Sequence, residues 1–409
     1  MSKLDEMIRE LCPDGVEYKT LSEVFDTRNG YTPSKKEKNF WENGTIPWFR
    51  MEDIRENGGI LDKATQYVSQ EAVKGSPFPA NSIIVATSAT IGEHALITVP
   101  SIANQRFTYL MINEQYKDDY DPKFLYYYCF KLDEYCKECL NQGNFASVDM
   151  KKFAKFQFPR LPIEIQREIV RILDNFTELT AELTAELTAR KTQYSFYRDK
   201  LLTFDTPVEW KPMEKEFPFI RNGFVGTVTP YFTGEEQGVR YLEGTNIHDG
   251  VISDNEIIYV SKEFHQKHIR NELKDGDILM VQSGHVGECA VVDDKYAGSN
   301  CHALIIMSNA GRCNSRFVMH YLRSTEGKAG LKKITTGGTV KHILASNMKK
   351  FMIPVPPLDV QNRIVNVLDN FERICSDLNI GLPAEIEARQ KQYEYYRDKL
   401  LTFKEVAAT

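Results

Sequence analysis

From Ile165 onward apolar residues recur at Ile169, Ile172, Phe176, Leu179 and Leu183, in alternating steps of four and three. That is the seam spacing of a coiled coil. Through TAELTAEL (180–187) leucine returns every fourth residue as far as Leu187, and Tyr194, Tyr197 and Leu201 carry the stripe on. The pattern predicts a single helix over roughly 163–203, about 60 Å long at 1.5 Å per residue. Val360, Ile364, Val367, Phe371, Ile374 and Leu378 repeat the same steps, but Gly381 and Pro383 follow. A helix to about 379, a bend and a new helix with Pro383 in its first turn are expected there. Elsewhere the pattern is of strands. FPANSIIVATS (78–88) and LKDGDILMVQS (273–283) each place a turn before a β-rich apolar run, and SIANQRFTYLMI (101–112) and AGSNCHALIIM (297–307) read as polar turns feeding further strands.

The helical stretches are copies of one another. YRDKLLTF stands at 197–204 and again at 396–403, and 158–176 recurs at 353–371, with Pro159, Gln166, Ile169, Val170, Leu173, Asp174, Asn175 and Phe176 repeated. Fainter matches precede them: VEYK (16–19) with VEWK (208–211), Arg28-Asn29-Gly30 with Arg221-Asn222-Gly223, the turn 88–93 with 283–288, and Met150-Lys151-Lys152-Phe153 with Met348-Lys349-Lys350-Phe351. The chain therefore reads as two tandem halves. A head over 1–157 precedes a spacer-helix region over 158–204, and a second head over 205–352 precedes a second spacer region over 353–409. The expected fold class is α+β, with two mixed α/β heads separated by two long antiparallel coiled-coil helices and an internal pseudo-twofold repeat.

The heads share their apolar skeleton but not their polar loops. NGYTPSKKEKNFW (29–41) answers NGFVGTVTPYF (222–232), Asn104-Gln105-Arg106 answers Asn300-Cys301-His302, and NQGNFASVD (141–149) answers TTGGTVKHI (335–343). Two readers of different short signals would need such a common scaffold with unlike loops. Side chains of this kind bond base edges and phosphates. The candidates are Tyr31, Thr32, Ser34, Lys35, Lys36, Ser88, Thr90, Asn104, Arg106, Gln142 and Asn144 in the first head. In the second they are Thr227, Thr229, Tyr231, Ser283, His285, Asn300, His302, Thr336, Thr339 and Lys341.

A formal net charge of −6 weighs against a nucleic-acid partner only as an average, since phosphate contacts need local Lys and Arg. MSKLDEMIRE has no apolar core of a signal peptide, no apolar run reaches the length of a membrane span, and eight cysteines fall without a framework. These features suit reduced thiols in a cytoplasm. Marks of catalysis are few. There is no GxxxxGK[ST] loop and no Asn-Pro-Pro-aromatic segment; Val355-Pro356-Pro357-Leu358 sits where a helix begins. Asp14, Glu17 and Lys19 mimic a nuclease pattern at too short a spacing, and Cys136-x-x-Cys139 lacks the second pair a zinc site needs. No catalytic residue and no metal ligand is expected.

Gly30-Tyr31-Thr32-Pro33-Ser34 followed by Ile46-Pro47-Trp48, the helix start LPIEIQREIVRILDNF (161–176), AEIEARQKQYEYYRDKLL (384–401) and the two-half layout together resemble the DNA-specificity (S) subunit of a Type I restriction–modification enzyme. The TAEL tandem is similar to one seen in part of that family. The second head departs from the pattern, with Thr227-Val228-Thr229-Pro230 late and Val239-Arg240-Tyr241 in place of Ile-Pro-Trp. The resemblance implies two target recognition domains that each read one half of a split, asymmetric site in double-stranded DNA. It implies two methyltransferase and two restriction/translocase subunits as partners, in which S-adenosylmethionine, ATP and Mg2+ would sit, with no cofactor in this chain. The expected spacer and partner-docking residues are Ile169, Phe176, Leu179, Leu183, Leu187, Tyr197, Leu201, Ile364, Phe371, Leu378, Tyr396 and Leu400. The competing readings are a stand-alone nuclease using Glu17 and Lys19, and an assembly rod that works without DNA.

Overall fold

Ser82–Ala86 and Ile278–Val281, apolar at almost every position, become central strands buried on both faces. The computed structural model describes residues 3–141, 146–204, 207–338, 340–376 and 381–406. The chain divides into two units, Met1–Glu182 with Glu387–Thr409, and Leu183–Ile386.

In the first unit, strands β1 (Phe25–Asn29), β2 (Ile60–Leu61), β3 (Ser82–Ala86), β4 (His94–Ile97) and β5 (Phe107–Ile112) form a sheet in the order β1-β5-β3-β4-β2. Alternate residues of a strand face opposite ways. Ile83 and Val85 therefore pack with Phe124, Leu125 and Leu132 of helix α1 (Pro122–Glu138), whereas Ile84 and Ala86 pack with Trp48, Phe49 and Tyr109 on the other face. Asp121 caps α1 by accepting the Lys123 and Phe124 N–H groups. Helix α2 (Ile163–Leu201) starts in this unit, with Ile165, Ile169 and Leu173 in the same core as α1.

The second unit repeats the plan. Strands β6 (Phe219–Asn222), β7 (Ile278–Val281), β8 (Cys289–Val291) and β9 (Leu304–Ser308) take the order β6-β9-β7-β8, matching β1-β5-β3-β4. Ile278 and Met280 face helix α3 (Ser315–Arg323), and Leu279 and Val281 face the opposite core. Helix α4 (Thr325–Ile334) follows, then α5 (Leu358–Ser376) and α6 (Leu382–Leu400), the last with Pro383 in its first turn as the sequence predicts. Leu378 lies outside the described residues.

The repeated residues turn out to be pins. Gln166 is fully buried; it donates to the Asp119 and Leu161 carbonyls and accepts the Asp121 N–H, fixing the start of α2 against the cap of α1. Gln361 does the same with the Pro356 carbonyl and the Asn314 N–H. Asp174 accepts from the Lys123 ammonium and the Tyr127 hydroxyl, each at 2.7 Å. Asp369 meets His320 at 2.7 Å and Arg316 at 2.6 Å. The octapeptides then cross over. Tyr396 stacks on Phe176 in the first unit and Tyr197 stacks on Phe371 in the second, both with ring centroids 5.6 Å apart. Each copy of YRDKLLTF thus closes on the start of the other copy's spacer helix.

The seam differs from the one expected. Val367 and Ile374 are 44% and 47% exposed, while Gln361, Ile364, Val365, Leu368 and Cys375 form the buried stripe. The inward face of α5 turns toward Phe317 and Tyr321 of α3, so packing on the head, not helix pairing alone, sets its rotation.

Buried charge completes the second unit. Arg323 pairs with Glu372, and Tyr194 donates to Glu372 at 3.4 Å. Removing one partner strands the other, so Arg323→Met is expected to destabilise this unit by about 3–5 kcal/mol in denaturant titrations. Double-mutant cycles on Phe176/Tyr396 and on Phe371/Tyr197 should each return a coupling of about 0.5–1.5 kcal/mol. Burial alone would raise the Asp369 carboxyl, but His320 and Arg316 outweigh it and hold it below the ordinary carboxylate range. Its contribution is therefore present above about pH 4, the unfolded value, and is lost as pH falls through the lower folded value. Acid unfolding curves of Asp369→Asn should lack that component.

Candidate nucleic-acid interface

Strand register brings three loops to one end of each sheet. The end of β1 adjoins the start of β5 (Asn29 opposite Thr108), which adjoins the end of β3 (Phe107 opposite Ala86). Loops 30–36, 104–106 and 87–91 leave from those neighbouring backbones, and Ser147 joins them through a bridge to Ser88. In the second unit Asn222 opposite Ile305 and Val281 opposite Leu304 gather loops 223–231, 300–303 and 282–288, with His342 bridged to Ser283.

The first set is braced by side chains. Gly30 donates to the Phe107 carbonyl and Tyr31 to that of Ala103. A Cβ at residue 30 would lie 2.4 Å from the Ala103 and Asn104 carbonyl oxygens, so only glycine fits this approach. The indole N–H of Trp48 donates to the Tyr31 carbonyl and that of Trp41 to the Ser34 carbonyl, both at 3.1 Å, and the two indoles meet edge to face at 4.9 Å. The Tyr31 hydroxyl accepts the Lys74 N–H. The Thr32 hydroxyl donates to Gln105 Oε1, tying one loop to the next. This bracing leaves Ser34, Lys35 and Lys36 exposed, with Arg106 at an adjacent turn. The Trp48 role is signalled by Ile46-Pro47-Trp48; Trp41 and Gln105 carry no signal beyond their place in the polar loops.

In the second set Val228 is buried with Tyr241, Val260 and Phe264, and Tyr231 packs on Phe264 at 4.8 Å. That plug turns Thr227 and Thr229 outward, which accounts for the late Thr-Val-Thr-Pro. Tyr241 pairs in parallel with Asn300 as Trp48 does with Ile102, so Val239-Arg240-Tyr241 does occupy the place of Ile46-Pro47-Trp48. The same ladder corrects one equivalence. His302 donates its N–H to Leu242 as Asn104 does to Phe49, so His302, not Asn300, stands at the position of Asn104. Asn300 is buried, its amide engaged by His265 and the His268 carbonyl, and it offers no edge to a ligand.

Other candidates divide similarly. His285, Thr336 and Lys341 are exposed, and Ser88, Ser283, Asn104 and His302 half-buried. Among the described residues the Thr90 hydroxyl is enclosed without a hydrogen-bond partner, so it is no surface donor there. Gln142, Asn144 and Thr339 lie outside the described residues. Among the docking candidates Ile169 and Ile364 are interior, so they stabilise the units and form no docking face. Leu179 is exposed, and Leu183, Leu187, Leu201 and Leu400 are half-buried.

The nuclease pattern gathers no site. Lys19 and Arg160 bind Glu17 at 2.8 and 3.4 Å, and the Lys19 hydrogen bond in particular holds its carboxyl below the usual range. Among the described residues the one group with metal-ligand geometry is His320, Asp369 and Glu372, and Arg316 and Arg323 already balance its charge. Cys136 and Cys139 are buried and unbridged, and burial pushes the Cys136 thiol up to about 12. Among the described residues no helix is long and apolar enough to cross a membrane.

The family model described as "Type I restriction modification DNA specificity domain" matches twice, at residues 13–190 and 213–388. The chain belongs to this specificity family. It is 40% identical over 397 residues to the Escherichia coli "Type I restriction enzyme EcoprrI specificity subunit", covering 92% of this chain and 93% of that one. It is 31% identical over 303 residues to the EcoR124I/EcoR124II specificity subunit of Escherichia coli, covering 69% and 70%. A solved chain described as "Structural basis underlying complex assembly and conformational transition of the type I R-M system" shares the fold, with a TM-score of 0.63, 18% identity and coverage of 96% and 98%. The two family matches fall one in each tandem half, and they end within the long helices Ile163–Leu201 and Leu382–Leu400.

Gly30→Ala is expected to displace the 30–36 loop, at a cost of about 1–3 kcal/mol. Hydrogen exchange should rise at Tyr31 and Phe107 while amides of the second unit stay protected; unchanged exchange at Tyr31 would count against the close approach.

Proposed function

We propose that this chain is the non-catalytic DNA-recognition subunit of a cytoplasmic Type I restriction–modification complex, reading a two-part asymmetric site with one unit per half. The observation that carries this reading is a matched sheet end in both units that presents unlike loops: Thr32, Ser34, Lys35, Lys36 and Arg106 in one, Thr227, Thr229, His285 and His302 in the other. One unit reading a few base pairs gains about 1–3 kcal/mol of discrimination per pair. Two units multiply that selectivity only if their separation is set by something stiff. In this reading the spacer helices do so.

The partners are two methyltransferase subunits and two restriction/translocase subunits. S-adenosylmethionine, ATP and Mg2+ act in those chains. The octapeptide supports equivalent docking at two places: beside Tyr197 and Tyr396, Phe196 and Tyr395 stand 61% and 63% exposed, each edge-on to its neighbour at 5.4 and 5.3 Å. The acidic balance of the chain leaves much of the phosphate grip to the assembled complex.

Exchanging loop 29–41 for that of a relative with another target, and mapping N6-methyladenine in cells, should change one half of the methylated motif and leave the other intact. An unchanged motif would favour an assembly rod that works without DNA. Inserting one more TAEL after Leu187 lengthens the helix by about 6 Å, which is one or two base pairs of rise. The methylated half-sites should move apart by that amount with their bases unchanged; retention of the original gap alone defeats the spacer role.

A further inference from the structure

On the second unit, an open groove of about 560 Å3 lies between the turn Val286-Gly287-Glu288, helix α4 and the loop that carries Gly337 and Lys341. Lys328 and Lys332, one helical turn apart, line it together with Lys341. All three are exposed, and among the described residues none makes an ion pair or a side-chain hydrogen bond. The single carboxylate in the lining, Glu288, accepts the Asp249 N–H. Lys332 sits in the last turn of α4, where a cation suits the helix dipole. Lys328 in mid-helix and Lys341 on the loop have no such structural role. Three like charges converging on one groove oppose folding unless an anion meets them.

The first unit has the matching groove with different chemistry. Asn141 donates to the Ser147 carbonyl as Thr336 does to that of His342, and Val148 donates to the Thr87 carbonyl as Ile343 does to that of Gln282. Counting back from these closures puts Asp133, Lys137 and Ala146 where the second unit has Lys328, Lys332 and Lys341. Gly92 and Gly287 occupy the same turn, each donating to the last residue of its strand, Ala86 and Val281. The first groove is lined by Glu93, Asp133 and Glu134 as well as Lys137 and Arg397. Asp133 is almost fully buried and committed to His94 at 2.6 Å. One matched place is thus mixed in charge and the other is basic.

We propose that Lys328, Lys332 and Lys341 grip the phosphate backbone of duplex DNA, and that the matched groove of the first unit has no equal of this grip. This rests on the DNA-reading role proposed above. The groove touches the turn 283–288 and the 335–343 loop, the two segments joined by the Ser283–His342 bridge at the recognition end. A strand whose bases meet those loops carries its phosphates alongside. Point charges on flexible stems hold phosphate without reading sequence.

The test uses the full chain assembled with its methyltransferase partner, a duplex of unrelated sequence, and the triple variant K328Q/K332Q/K341Q. The slope of log affinity against log salt is expected to shrink by about 0.9 for each phosphate that the variant no longer neutralises. The methylated motif should stay the same, and the triple Lys→Arg variant should restore the slope. An unchanged slope overturns the proposal. So does a changed motif, which would make the lysines base readers, and so does loss of the methyltransferase in gel filtration at unchanged slope, which would make the patch a protein-docking surface. A wild-type assembly that binds no DNA removes the recognition reading itself, and this proposal with it.

Discussion

Everything in this chain depends on the crossed closure of its two spacer helices. Neither unit is made from one repeat. The first takes the start of α2 and the end of α6, and the second takes the rest of α2 with α5. What closes each unit is modest in energy but specific in kind: a Phe–Tyr stack, a buried Gln that ties the helix start to the cap of a neighbouring helix, and an Asp held by a cation and a ring. Because the same pins recur in both units, the sheets are carried in matched ways, and whatever leaves the end of one sheet has a counterpart on the other.

On that frame the loop-bearing ends of the two sheets are free to differ. The first is braced by two indoles and a glycine that admits no side chain; the second is anchored by Val228 and an aromatic cluster. The bracing differs because it need only hold its own loop, whereas the strand register beneath it must be kept. In the proposed role, this separation between a shared backbone ladder and private side-chain anchors lets one fold serve two targets.

Much of this could be read from the chain. The long helix, the new helix with Pro383 in its first turn, the strands at 82–86 and 278–281 and the two tandem halves all follow from periodicity and repetition, which are local and direct signals. Other features were not legible. The rotation of α5 that exposes Val367 and Ile374 is set by α3, a tertiary partner that heptad spacing does not name. The match of Asn104 with His302 is defined by backbone bonds to Phe49 and Leu242, while the eye aligns Asn104 with Asn300 by identity. The pairing of Asp133 with His94 joins residues far apart in sequence. Loop residues themselves were found in kind but not in orientation, as the enclosed Thr90 hydroxyl shows.

The crossed closure also dictates an order of assembly. The second unit is uninterrupted in sequence, Leu183–Ile386, so all of it emerges from the ribosome together. The first unit starts before the second in the chain yet needs Tyr393, Tyr396 and Leu401, and Val16 donates to the Lys404 carbonyl and accepts the Val406 N–H. Its core stays open until residues 393–406 have been made. The usual vectorial order is therefore reversed: of the two units, the one that starts first is the last to become whole.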